Sequence, residues 1–275
     1  MRLGQALAAA GELGLERLDS QLLLLLALGR RADERAWLLG HDTDELGEQE
    51  RSQFIKLCGR RLAGEPLAYI TGRREFFGLD LLVDSRVLVP RPDTETLVTW
   101  ALDVIRPMHG PRVIDLGTGS GAIALAIKKG RPDAQVTATD NSGEALRVAL
   151  ANALAQHLEI DFRQGSWLAP IDGRFDLIVS NPPYIAADDE HLAALAFEPV
   201  SALVSGANGL HDLRAIIHQA PRRLTTGGWL LLEHGHRQAE PVRALLAAAG
   251  FSNIGTRRDL AGIERCSGGQ WLELG

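Results

Sequence analysis

"VIDLGTGSGAIAL", Val113 to Leu125, is the stretch on which the fold turns. An apolar strand runs into a turn with glycines at 117, 119 and 121, and a helix follows at once. Glycine admits positive φ and lets backbone pass close to a ligand, while the new helix offers free N–H groups at its start. Asp140 ends the next strand, where a carboxylate can accept hydrogen bonds from ribose hydroxyls. Strand, glycine loop, helix and acid-ended strand in succession describe a nucleoside-binding α/β unit.

The alternation continues outward from this unit. Apolar periodicity predicts strands at Arg112–Leu116, Gln135–Asp140, Asp161–Gln164, Phe175–Ser180, Trp229–Glu233, Ile254–Arg258 and Trp271–Leu274. Helices are predicted at Gly121–Lys129, Glu144–His157, Leu213–Leu224 and Ala239–Ala249. Such alternation implies an α/β fold with a doubly wound, mostly parallel seven-stranded sheet covered by helices on both faces. Upstream the period changes. Residues 1–73 read as a self-contained all-helical domain, and residues 74–95 as a β-hairpin and Pro-rich connector. That hairpin is drawn from Glu75–Phe77 and Leu81–Val83 around Gly78-Leu79-Asp80. Residues 96–275 then form the sheet domain.

Composition narrows the class. Of 275 residues, 45% are apolar and 23% charged, which suits a globular protein with a real core. Net charge is −6, and basic residues cluster no further than pairs such as Arg60-Arg61 and Lys128-Lys129. Holding a nucleic-acid backbone needs clustered Lys and Arg, so direct nucleic-acid binding is not expected. The two cysteines, Cys58 and Cys266, lack zinc or disulfide spacing and fit a reducing cytoplasm. The leucine run Leu22–Leu26 is too short for a membrane span, and acidic residues precede it, so neither a membrane nor a signal segment is expected.

Two ligands fit the glycine loop. Gly117, Gly119 and Ala122 satisfy the dinucleotide spacing, which keeps NAD open. Asp115, two residues before the first glycine, suits a cationic ligand better than a pyrophosphate. S-adenosylmethionine carries a sulfonium and an ammonium and no phosphate, which favours methyl transfer.

The second informative stretch is "LIVSNPPYIA", Leu177 to Ala186. Each proline holds the residue before it extended and lacks an N–H. The result is a stiff corner whose oxygens face no competing donor. At a strand's carboxyl end it sits where ligands of open α/β sheets bind. A planar NH₂ group must be oriented and have its N–H bonds accepted, and the Asn181 side-chain oxygen and Pro182 carbonyl suit that task. Tyr184 offers a flat face. Fixed acceptors gain strength as the nitrogen becomes positive, so neither metal nor covalent nucleophile is required. His234 and His236 in "LEHGHR" have no carboxylate-rich company that would make a metal site.

The Asn-Pro-Pro-Tyr tetrad resembles the amino-group methyltransferases that use S-adenosylmethionine, among them DNA and RNA exocyclic-amino N-methyltransferases. Together with "GEPLAYITGRREFFGLDLLV", "VPRPDTETLV" and "FEPVSALVSGANGLHDL", it is similar to the peptide chain release factor glutamine N5-methyltransferase family. The resemblance implies a Rossmann-like methyltransferase domain behind a small helical substrate-docking domain. It implies that Asn181, Pro182, Pro183 and Tyr184 clamp the substrate amide. It also implies that Gly117, Thr118, Gly119, Ser120, Gly121, Asp140, Trp167 and Asn181 hold S-adenosylmethionine, with Trp167 beside the adenine. Residues Arg91 to Glu95 would line the methionine end. The implied substrate is the glutamine of the Gly-Gly-Gln motif in class-1 release factors; the alternative is a DNA or RNA amino group. "SGGQ", Ser267 to Gln270, reads as a chance echo of that motif at a hairpin that needs glycines.

Overall fold

The computed structural model describes residues 1–272 and divides into two compact units, Met1–Arg73 and Arg74–Gly275. The first unit is helical, with α1 (Leu3–Glu12), α2 (Arg17–Ala27), α3 (Arg35–Gly40), α4 (Glu48–Leu62) and α5 (Leu67–Thr71). Leu23, Leu24 and Leu25 of α2 are fully buried in a row, because α1, α3, α4 and α5 all pack on this helix. The leucine run is thus the axis of a small bundle.

The second unit opens on the antiparallel hairpin β1 (Arg73–Phe76) and β2 (Leu79–Leu82). Its turn is Phe77-Gly78, both at positive φ, 50° and 72°. This corrects the expected strands by two residues: a bulky Phe in the left-handed region is a turn signal that propensity does not suggest. There follow α6 (Glu95–Ile105), β3 (Arg112–Leu116), α7 (Ala122–Gly130), β4 (Gln135–Asp140), α8 (Gly143–Ala155), β5 (Asp161–Gln164) and β6 (Phe175–Ser180). The chain closes with α9 (His211–Gln219), β7 (Leu224–Glu233), α10 (Ala239–Ala248), β8 (Ser252–Arg258) and β9 (Glu264–Gln270).

Strand order across the sheet is β5-β4-β3-β6-β7-β9-β8. Neighbours from β5 to β7 are parallel, whereas β9 runs antiparallel to both β7 and β8. Alternate side chains feed two cores. Val113, Leu177 and Leu231 join Leu97 and Ala101 of α6 and Ala124 of α7 on one face. Ile114, Ile178 and Leu230 join Ile216 of α9 and Val242 of α10 on the other. The sheet is therefore doubly wound.

The last strand differs from expectation. It ends at Gln270, and Trp271 leaves the ladder to pack edge-on against Phe251, ring centroids 5.6 Å apart. Of the expected strand Trp271–Leu274, Glu273 and Leu274 lie outside the described residues. Gly268 and Gly269 do not turn the chain; they sit mid-strand. A Cβ on Gly268 would stand 2.5 Å from Leu231 and 2.6 Å from the Leu230 carbonyl, so close packing, not a hairpin, demands glycine there.

Candidate active site

β3 leads to β4 on one side of the sheet, and β6 leads to β7 on the other. Between these two strand ends lies the switch point, the usual ligand crevice of such sheets. A cavity of about 560 Å³ opens there, a size that suits a nucleoside-bearing ligand. Gly117, Thr118, Gly119 and Ser120 line it from the glycine loop, with Asp140 at the end of β4 and Trp167 after β5. Asn181 and Pro183 line it from the corner after β6, and Arg91 and Thr94 from the connector. Pro182, Tyr184 and Gly121 do not line it. Gly121 instead caps α7 at φ 84°, while Pro182 is buried behind the corner.

Hydrogen bonds fix the two strand ends to one another. Ser180 Oγ donates to the Leu116 carbonyl at 2.7 Å, and Thr118 N–H donates to the Thr139 carbonyl at 2.9 Å. Asp140 accepts the N–H of Gly119 and of Ser142, both at 2.9 Å. Its partial burial raises its pKa against these bonds, so the carboxylate is held at the wall with capacity to accept more. Gly117 stands at φ 69°, and a Cβ there would meet the Trp167 ring at 3.2 Å. Loop and indole thus form a slot only glycine leaves open. Trp167 is itself at φ 49°, and its carbonyl accepts the Thr139 hydroxyl at 3.2 Å.

Asp115 plays a different part from the one its position suggested. It lies fully buried beneath the loop, off the cavity wall, and accepts the Thr118 hydroxyl at 2.6 Å and the Ala124 N–H at 3.2 Å. Burial pushes its pKa up to about 7. Its Oδ2 organises the loop, while its Oδ1 is buried with no partner.

At the corner, Asn181 Nδ2 donates to Thr94 Oγ1 at 3.3 Å, while Asn181 Oδ1 is buried with no partner. An unmet acceptor in a wall is costly unless something arrives to fill it. Behind it Tyr184 donates to Glu233 Oε1 at 3.5 Å, and its carbonyl accepts from Gln238 at 3.1 Å. Burial and the Glu233 charge push the phenol pKa up, so the hydroxyl stays a donor.

Other residues brace the site, and of these Asn152 alone is not singled out by the sequence. Glu198, buried in the segment after β6, accepts the Val89 N–H at 3.1 Å and pairs with Arg91, tying that segment to the connector. Asn152 of α8 donates to the Ser120 and Leu82 carbonyls, both at 2.9 Å, and so braces the glycine loop from behind. Only an Asn in the middle of an apolar helix hinted at this. His234 is buried, its Nε2 2.8 Å from Ser267 Oγ and its Nδ1 3.0 Å from the Gly235 carbonyl. Among the described residues no group of three or more His, Cys, Asp or Glu could hold a metal ion, and no helix is long and apolar enough to cross a membrane.

Comparison with known proteins adds the family. Residues 94–252 match the family model described as "Methyltransferase small domain", and residues 2–72 match "PrmC N-terminal domain". A curated relative from Bordetella pertussis, "Release factor glutamine methyltransferase", is 50% identical over 260 residues, covering 93% of this chain and 95% of the relative. A relative of the same name from Xylella fastidiosa is 49% identical, covering 96% and 97%. One from Aliivibrio fischeri is 43% identical, covering 93% and 90%. Among solved structures, the hMettl16 catalytic domain superposes with TM-score 0.60 at 16% identity, covering 91% of each chain. A T. Thermophilus 16S rRNA N2 methyltransferase in complex with AdoMet and guanosine gives TM-score 0.55 at 18% identity, covering 72% of this chain and 49% of that one. These two likenesses concern the fold alone.

Proposed function

The chain belongs to the release factor glutamine methyltransferase family, and from that premise we propose its reaction. It transfers a methyl group from S-adenosylmethionine to the side-chain amide nitrogen of the glutamine in the Gly-Gly-Gln motif of class-1 release factors. The observation that carries this reading is Asn181 Oδ1, a buried acceptor without a partner in the cavity wall. A carboxamide NH₂ is the group such an acceptor calls for.

The residues present fit the cofactor. Gly117 and Trp167 form a slot that a Cβ would fill, and Asp140 offers its carboxylate in the same wall. Asp140 would hold the ribose, Trp167 the adenine, and Gly117 to Gly121 the backbone approach; Arg91 to Glu95 would face the methionine end. Bound there, S-adenosylmethionine supplies an electrophilic methyl on a sulfonium.

The chain's own residues orient the nucleophile. Asn181 Oδ1 accepts one amide N–H bond at the cavity wall, and the Pro182 carbonyl, on a residue that does not line the cavity, is assigned the second through the family resemblance. Neither Pro182 nor Pro183 has an N–H to compete for these oxygens. As charge develops on nitrogen, both bonds strengthen without reorganisation, which is electrostatic preorganisation. Pro183 narrows the approach, and Tyr184, pinned by Glu233 and Gln238, keeps the corner from swinging. Positioning does the rest.

Residues 1–73 are assigned to docking of the release factor, residues 74–95 to the connector and residues 96–275 to methyl transfer. A glutamine between glycines reaches a deep pocket because glycines add no bulk and turn tightly. The cytoplasm, where translation ends, is the compartment this implies. The test mixes the protein, S-adenosylmethionine and a purified release factor, then maps the product by peptide mass spectrometry. Methylation of that one glutamine is expected; preferential labelling of DNA or RNA would refute the reading.

A further inference from the structure

Asn152 sits in the middle of α8 with no exposed surface, and its carboxamide is used completely. Oδ1 accepts the Leu82 N–H at 2.6 Å. Nδ2 donates one proton to the Leu82 carbonyl and the other to the Ser120 carbonyl, each at 2.9 Å. Three backbone groups therefore specify this side chain. Turned round, the amide would set its oxygen against two carbonyls; an aspartate would do the same, and a leucine would meet none of the three. Leu82 is the last residue of β2, and Ser120 lies in the glycine loop and lines the cavity. One asparagine thus holds hairpin and loop together.

The hairpin needs such a hold, because two strands alone are marginal in water. Phe76, Leu79 and Leu81 are buried in the core and keep the hairpin on the domain. Apolar contact is not directional, however, and leaves the path of the backbone loosely set. α8 sets it. One turn beyond Asn152, Gln156 donates to the Asp80 carbonyl at 3.0 Å. Four residues of helix rise about 6 Å and two residues of strand about 6.7 Å, so two carboxamides one turn apart match alternate residues of β2. The helix acts in place of a third strand.

The loop needs the hold as well. Ser120 stands between Gly119 and Gly121, at φ 56° and 84°, and glycine lets an adjoining peptide turn cheaply. The peptide joining Ser120 to Gly121 is held on one side by Asn152. On the other its N–H donates to the Thr118 carbonyl at 2.8 Å. α8 also presses on it: a Cβ on Gly121 would stand 3.3 Å from the Ala149 Cβ. We infer that Asn152 is a positioning residue for the cofactor, fixing the Ser120–Gly121 peptide against the hairpin so that cofactor affinity and hairpin order rise and fall together. This rests on the reading of the cavity as the S-adenosylmethionine site, and adds β2, which does not line it, to the parts that site requires. The coupling is reciprocal, as linkage demands.

Asn152→Ala should weaken S-adenosylmethionine binding, measured by calorimetry, roughly tenfold, as for a lost hydrogen bond. At saturating cofactor kcat should stay within about twofold, because the Asn181 corner is untouched. Asn152→Asp keeps an acceptor for Leu82 but removes both donors, and should weaken binding as much. Gln156→Ala loosens β2 at Asp80 without touching the loop, and should leave affinity within about twofold. A purely structural Asn152 would lower the melting temperature in these variants and leave cofactor affinity alone. Reciprocity is read in the wild type by amide hydrogen exchange: S-adenosylmethionine should slow the Leu82 amide more than the amides of β8, at the far edge of the sheet. Should Asn152→Ala fail to fold, that exchange decides. An Asn152→Ala protein with wild-type affinity, or a Leu82 amide indifferent to the cofactor, would overturn the inference. A wild-type protein that binds no S-adenosylmethionine would instead sink the cofactor reading. The brace is then decided without ligand by the Gly121 amide, which should exchange faster in Asn152→Ala than in wild type; equal rates would refute it.

Discussion

Two neighbouring strand ends face the same cavity with opposite chemistry. After β3 the chain is all glycine and hydroxyl, and its N–H groups at Thr118, Gly119 and Gly121 already have acceptors. The carboxylates that attend this loop already have partners: Asp115 takes Thr118 and Ala124, and Asp140 takes Gly119 and Ser142. After β6 the chain is Asn-Pro-Pro-Tyr, stripped of two donors, with an acceptor left waiting. The first turn is held mostly by its own hydrogen bonds, with Asp115 Oδ1 left over beneath it, whereas the second has its unmet acceptor on a residue that lines the cavity. Binding and chemistry are thus divided between two turns a hydrogen bond apart.

That division predicts separable failures. Asn181→Ala should lower turnover roughly a hundredfold or more while cofactor affinity holds within a few-fold, as expected for a lost transition-state acceptor. Steady-state kinetics beside calorimetric titration measure both; a collapse of cofactor affinity with little change in turnover would erase the distinction. Asp140→Ala should do the reverse, weakening S-adenosylmethionine binding by about 1–3 kcal/mol with the fold intact, because the residue stands at a strand end. Titration against the wild type checks it.

Smaller effects sharpen the picture. Glu198→Gln loosens the Arg91 and Val89 contacts that tie the segment after β6 to the connector, so KM for the release factor should rise a few-fold with kcat nearly kept. The least effect is on stability. Folding lifts the Asp115 pKa from 3.8 to about 7, so the folded state favours the neutral form. That stabilisation is whole below the unfolded value and is lost as pH rises through the folded one. The melting temperature of Asp115→Asn should therefore gain on the wild type between pH 3.8 and about 7 and no further. A difference independent of pH would mean that Asp115 is ionised throughout.

The glycine loop and the proline corner were legible because glycine and proline act on their own backbone, and that action is local. Thr94 belongs to the connector, yet its partner Asn181 stands far along the chain and only the fold brings them together. Asn152 was hidden in the same way, since its bonds reach Leu82 and Ser120. The last strand was misread for a different reason. Trp271 is the kind of residue strands favour, and Gly268-Gly269 the kind they avoid. Yet the glycines are in the ladder because Leu231 and Phe251 leave no room for a side chain. Strand propensity reports ordinary surroundings, and these are tighter than ordinary.

Those two glycines have one more consequence. The proposed target is a glutamine preceded by two glycines, and the chain carries such a glutamine itself, Gln270. Its carboxamide is already spoken for: Nε2 donates to the Gly227 carbonyl at 2.9 Å, and Oε1 accepts from Asn253 at 2.8 Å. Its backbone partners are Trp229 on one side and Ser252 on the other. To offer Gln270 to a second copy, the protein would have to draw β9 out from between β7 and β8, and with it the Arg265 that braces the connector. A molecule opened far enough to be a substrate would no longer have this site in order, and intact-mass measurement after prolonged incubation with S-adenosylmethionine alone should show no added methyl.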